Sequence, residues 1–175
     1  VIVESIFTAT SYYSQIGQDI DGEAAGDQSG RSVSINGDGT IVAIGAGYND
    51  GNGDRSGHTR VYEYNGSQWV QLGQDIDGEA AGDASGLPVS LNNDGTIVAI
   101  GAVHNDGNGG DSGHVRVYQY NGSQWVKLGQ DIDGENAHDR NGVSVSINND
   151  GTIVAIGADT ADGDGAGDSD NRGHV

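Results

Sequence analysis

Apolar and small polar residues alternate through Ser32-Val33-Ser34-Ile35-Asn36, which predicts a strand with two unlike faces. Gly37-Asp38-Gly39 follows and reads as a tight turn, because Asp-Gly pairs supply the positive φ that short hairpins need. Thr40-Ile41-Val42-Ala43-Ile44-Gly45-Ala46 is apolar on both faces, as expected of a strand held between two layers. A Gly/Asp/Asn loop, residues 47–57, leads to a third strand, His58-Thr59-Arg60-Val61-Tyr62-Glu63-Tyr64. This strand alternates again and turns at Asn65-Gly66. The fourth strand begins at Trp69-Val70-Gln71-Leu72 and runs on towards Ile76, and a long acidic loop then opens the next unit.

That unit recurs. Gly17-Gln18-Asp19-Ile20-Asp21-Gly22-Glu23 returns at Gly73 and again at Gly129, a spacing of 56 residues both times. Residues 15–70 and 71–126 agree at 44 of 56 positions without a gap. A fixed period of this length marks an array in which each unit buries its apolar face against its neighbours. Four antiparallel strands per unit, with two tight hairpins and two longer loops, predict an all-β chain of β-propeller blades, about three of them. The expected core is Val33, Ile35, Ile41, Val42, Ile44, Val61 and Leu72 with their counterparts 56 residues on. Trp69 and Trp125, with Tyr13 in the matching place, are read as packing between blades.

The expected segments are a lead-in over 1–10, then an outer strand of a preceding blade with its connecting loop over 11–29. Blades follow over 30–76, 86–132 and, incomplete, 142–175, joined by loops over 77–85 and 133–141. Propellers close with about four to eight blades. The residues are therefore expected to be a partial propeller, completed by other subunits or by the remainder of the chain. A start at Val1 rather than Met agrees with a processed or partial chain.

These motifs resemble the FG-GAP repeat of integrin-α-type propellers. The likeness rests on Ser29-Gly30, Val33-Ser34-Ile35, Gly37-Asp38-Gly39, Ile41 to Ala46 and Gly57-His58-Thr59-Arg60-Val61-Tyr62, and it recurs three times from Ser11 onward. The short loops are most similar to secreted microbial and algal versions. The resemblance implies an extracellular propeller used in adhesion or as a scaffold. It also implies a calcium cage between the first and second strands, but Asn36-Gly37-Asp38-Gly39 is too short to wrap an ion that takes six to eight oxygens. That site is not transferred to Asp38, Asp94 or Asp150.

Charge narrows the partners. The chain has 7 Lys+Arg against 26 Asp+Glu, a formal net charge of −19. Nucleic acids and anionic membranes are poor partners for such a surface, and no apolar stretch approaches the roughly 20 residues of a membrane span. The absence of cysteine leaves no disulfide frame. In a four-stranded blade the second-to-third loop and the blade-to-blade loop leave on one side, so the acids gather on one rim.

Asp50, Asn52 and Asp54 have the alternating oxygens of a calcium loop. Asp106, Asn108 and Asp111 repeat them, and Asp162, Asp164 and Asp168 stand in the longer third copy. A solvated turn face explains the same residues, and both readings stay open. His58, His114 and His174 are expected to hydrogen-bond structurally and close the acidic loops, since one His per blade is a poor zinc pattern. Asn65-Gly66-Ser67 and Asn121-Gly122-Ser123 are glycosylation sequons as well as turn sequences.

Catalysis needs an asymmetric set of groups, and near-identical copies offer none. The sequence therefore reads as a non-catalytic extracellular segment for adhesion or surface and filament architecture. Two alternatives remain: a calcium-dependent glycan-binding module, for which Tyr48 and His104 are the rim aromatics, and a non-catalytic part of a larger secreted propeller enzyme.

Overall fold

The computed structural model describes residues 14–161 and 173–175. Among them every regular element is a strand, and the strands form three antiparallel sheets. The first holds β1 (Ser32–Ile35), β2 (Ile41–Ala46), β3 (His58–Tyr64) and β4 (Trp69–Gln71) in that spatial order, with β5 (Ile76–Asp77) pairing the start of β3. The second repeats the order in β6 (Val89–Leu91), β7 (Ile97–Ala102), β8 (His114–Tyr120) and β9 (Trp125–Asp133). The third is β10 (Asn141–Ile147) with β11 (Val154–Ala158), to which His174 adds one antiparallel bridge at Ala158. The first sheet packs on the second and the second on the third. The sheets do not close into a ring, so the architecture is propeller-like and open.

The hairpins form as their residues dictate. Asn36 Oδ1 accepts the Ile41 N–H at 2.9 Å, and Gly39 takes the positive φ of 79°. Asn92 with Gly95 and Asn148 with Gly151 repeat this closure. The innermost strand of each blade is an edge strand, whose outward N–H groups need acceptors. The preceding blade supplies them. Ser32 Oγ and Ser34 Oγ accept from Val89 N and Leu91 N at 3.0 and 2.9 Å, and Ser90 Oγ accepts from Ile147 N at 3.2 Å. The alternation of Ser and Val thus has a polar reason as well as a steric one. Serines reach forward to the next blade while Val89 and Leu91 pack backward. At Gly45 a Cβ would collide with the Gly86 carbonyl oxygen, so blades meet there backbone to backbone.

The core lies between the first two sheets, where Ala43, Val61, Val89, Leu91, Val98, Ile100 and Trp125 are buried. Val89, Leu91, Val98 and Ile100 are at most 7% exposed, as expected of the middle blade. Leu128 of the same blade, the counterpart of Leu72, departs from expectation at 39% exposed, and the flanking blades depart further. Val33 and Ile35 are 62% and 61% exposed, and Ile153, the counterpart of Ile41 and Ile97, is 66% exposed. Val33 and Ile35 point backward from the first blade and Ile153 forward from the third, so each lies on a face with no neighbouring blade among the described residues. Trp125 is 3% exposed and donates Nε1–H to the Leu72 carbonyl, which bears out its inter-blade role.

The outer strand expected near Tyr12 falls partly on residues outside the described ones. Residues 14–17 are not in a strand. Instead the Ile16 carbonyl accepts from Trp69 Nε1 at 3.1 Å, and the Gln18 amide brackets the Trp69 backbone. Gln74 holds Trp125 in the same way.

Candidate functional site

The two acidic loops of each of the first two units meet on one rim, as expected. Asn49 Nδ2 donates to buried Asp27 at 2.8 Å, Asn105 Nδ2 donates to buried Asp83 at 3.0 Å, and Tyr48 N donates to the Asp27 carbonyl. Each loop also reaches the next unit. Asn52 Nδ2 donates to the Gly78 and Glu79 carbonyls, and Asn108 Nδ2 to those of Gly134 and Glu135. Asp50 and Asp106 each give one oxygen, at 2.8 Å, to a backbone N–H within their own loop. The Asp111 carboxylate lies 2.9 Å from His104 Nδ1 and 3.8 Å from His138 Nδ1. Asp162, Asp164 and Asp168 lie outside the described residues. Asn65 and Asn121 are exposed at turn tips, where each Oδ1 accepts from the Ser N–H, the Ser hydroxyl and the Gln N–H that follow.

A second polar constellation lies beyond the residues singled out by the sequence pattern. Glu23, His58 and Asp75, and again Glu79, His114 and Asp131, each offer one ligand atom, all within 4.8 Å of one another, so these groups could hold a metal ion. An arginine already stands in each. Arg60 grips Asp75 with Nε and Nη2 at 2.8 and 2.7 Å and reaches Glu23 at 3.0 Å. Arg116 grips Asp131 at 3.0 and 2.7 Å, reaches Glu79, and shares Asp131 with Lys127. Bidentate pairs of this kind are strong and geometrically exacting. The guanidinium hydrogen bonds hold the Asp75 and Asp131 carboxyls below the usual range, against the effect of their partial burial. Asp77 is pushed up instead, chiefly by burial and then by the charge of Asp75. The sequence did carry a signal: Arg and Asp recur with the same 15-residue separation in both units, Arg60 with Asp75 and Arg116 with Asp131.

The histidines correct an expectation. His58 and His114 are 3% and 2% exposed, yet His114 Nδ1 has no hydrogen-bond partner among the described residues. The nearest carboxylates stand at 4.0 Å from His58 (Asp75) and 3.9 Å from His114 (Asp133). The rings are packing groups rather than loop clasps, and burial lowers both pKa values below 6.5.

Comparison with known proteins agrees with the architecture: residues 20–62 match the FG-GAP repeat family. This span covers the first blade from its incoming loop into β3, and over these residues it bears out the resemblance seen in the sequence. The repeat is of β-propeller type and marks a protein-interaction module. A search of curated proteins gives no match. No helix among the described residues is long and apolar enough to cross a membrane.

Proposed function

We propose that this chain is a non-catalytic segment of an extracellular β-propeller that serves adhesion or surface architecture by docking blade on blade, with other subunits or with the remainder of its own chain. One observation carries the reading: the two outward blade faces are the two halves of the interface that the chain uses internally. The backward face offers Val33 and Ile35, 62% and 61% exposed, where Val89 and Leu91 are buried against the first blade. The forward face offers exposed Ser144, Ser146 and Ile153, at the positions where Ser32, Ser34 and Ile41 meet the second blade. Apolar groups and edge N–H groups on one side therefore match serine hydroxyls on the other. Unpaired edges of this type recruit further strands or sheets.

The expected result is concentration-dependent association of the 17.9 kDa chain in sedimentation. The double variant Val33→Asp/Ile35→Asp is expected to remain monomeric while keeping its β-sheet circular dichroism. A wild-type chain that stays monomeric at about 100 μM, near the weak end of specific protein association, would refute self-docking. Recovery of a longer native chain would place the partner blade in its own remainder.

Calcium on the acidic rim belongs to the same proposal. The motive is the crowding of carboxylates on one rim of a chain with net charge −19. An ion bound only by the folded state raises stability by mass action. The melting temperature is expected to rise by several degrees in millimolar Ca²⁺ relative to chelator at constant ionic strength, and identical melts would sink the idea. Asn65 and Asn121, exposed at their turn tips, complete the proposal as glycan acceptors.

A further inference from the structure

Twelve positions differ between residues 15–70 and 71–126. Seven of them place at least one copy in the walls of two adjoining pockets that share Tyr48, Ala84 and His104 on the acidic rim, a cleft lined by the first two blades and the start of the third: positions 28/84, 31/87, 32/88, 47/103, 48/104, 54/110 and 55/111. The other five include two Ile/Leu exchanges and one Thr/Val exchange, which leave size nearly unchanged. The scaffold is repeated, and the residues set individually converge on one place.

Arginines gather here on an otherwise acidic surface, beside Asp54 in the wall and Asp111 against His104. Of the chain's seven basic residues, Arg60, Arg116 and Lys127 are tied to Asp75 and Asp131. Arg172 lies outside the described residues. The other three, Arg31, Arg55 and Arg140, all stand at this cleft. The guanidinium carbons of Arg31 and Arg55 lie 5.6 and 5.1 Å from the centre of the Tyr48 ring. Neither Arg31 nor Arg55 is ion-paired among the described residues, while Arg140 has Asp159 at 3.4 Å. Apolar Leu87, Pro88 and Val103 complete a cavity of about 310 Å³, within the size range of small-molecule sites.

We propose that this cleft binds a small organic oxyanion of monosaccharide size, an acidic sugar unit. Its carboxylate or sulfate would sit between the Arg31 and Arg140 guanidinium groups, with its carbon body against Leu87 and Pro88. Guanidinium forks match planar oxyanions with two parallel hydrogen bonds. The apolar wall and the Tyr48 ring favour a compact ring over a bare ion. The rim around the cleft is anionic, so selectivity comes from contact, and the remaining charges act through a screened field beyond about 8 Å at physiological salt.

Titration of glucuronate, glucose 6-sulfate, glucose and inorganic sulfate into ¹⁵N-labelled protein at constant ionic strength tests the assignment. The expected result is saturable shifts confined to Arg31, Tyr48, His104 and Arg140 with one or both acidic sugars, and none with glucose. Inorganic sulfate binding as well as the sugars would reduce the cleft to an ion site and overturn the proposal. Arg31→Leu installs the residue that the repeat itself carries at position 87, so folding is preserved. It should weaken binding about tenfold, the equivalent of one charge-assisted hydrogen-bonded contact. Unchanged affinity in Arg31→Leu and in Arg140→Gln, or no saturation by any acidic sugar, would overturn the proposal. Binding is read on single chains, so its failure is separable from that of blade docking.

Discussion

Trp125→Ala is expected to destabilise the fold by about 3–5 kcal/mol, the range for removing a buried aromatic from a packed core. Trp125 is 3% exposed, stacks with its ring centre 5.3 Å from that of Tyr120, and donates Nε1–H to the Leu72 carbonyl at 2.9 Å. Truncation therefore empties a cavity between blades and also leaves a partly buried carbonyl without its donor. Trp69→Ala is the internal control. It has the same Tyr neighbour at 5.3 Å and the same type of hydrogen bond, to Ile16, but it is less completely covered. Its loss is expected to cost clearly less. Urea titrations of both variants decide the point. Domains of this size are stable by roughly 5–15 kcal/mol, so the first variant should lose a large share of its stability. Equal losses would mean that Trp125 owes nothing to the second blade interface.

Acidification from pH 7.5 to 5 is expected to lower stability steeply, before the carboxylates titrate. Burial, reinforced by Arg60 and Arg116, holds the His58 and His114 pKa values below 6.5. Asp75 and Asp77 oppose it at the first ring, and Asp131, Asp83 and Asp133 at the second. The unfolded chain takes up these protons first. Stability is therefore full above pH 6.5 and falls as pH drops from there towards the lowered folded-state values, where the loss levels off. Asp75 and Asp131 act lower down: their depressed pKa values give stability that is present above 3.8 and lost as pH falls further. Asp77, whose pKa is raised, works in the opposite sense at higher pH: it adds stability as pH falls through its raised value to 3.8, ahead of that second fall. Denaturant midpoints at pH 7.5, 6 and 5 measure the first stage. The His58→Gln/His114→Gln variant should flatten it, and a wild-type midpoint independent of pH over this window would rule it out.

Much of the blade is legible in the amino-acid sequence. Alternation at 32–35, the two-faced apolar run at 41–46 and the Asn-closed turns predict strand order and register, because period-2 burial and hairpin geometry are local properties. The meeting of the two acidic loops on one rim also follows from strand order. The hidden features need pairs of residues that local rules do not connect. Ser32 and Ser34 read as merely small in the sequence, yet their hydroxyls accept the Val89 and Leu91 N–H groups of the next blade. Arg60 and Asp75 sit 15 residues apart and become neighbours only when β3 and the chain beyond β4 lie side by side. The histidines' polar atoms suggest hydrogen bonds, but both rings are buried with the nearest carboxylates at 4.0 and 3.9 Å, beyond hydrogen-bond distance.

The sequence by itself determined the unit: its 56-residue period, its four strands and the side on which its acids fall. These are consequences of side-chain alternation and turn chemistry within a few residues. Only the tertiary structure decided which copies of the same residue are covered. Val33 and Val89 hold equivalent positions, and one is 62% exposed while the other is 6% exposed. Burial belongs to the contact between blades, and a residue's own neighbourhood in the chain does not specify whether another sheet stands against it. The same holds for the cleft. Arg31, Tyr48 and Arg140 are scattered over 109 residues of chain, and stacking alone brings their charges together on an otherwise acidic rim.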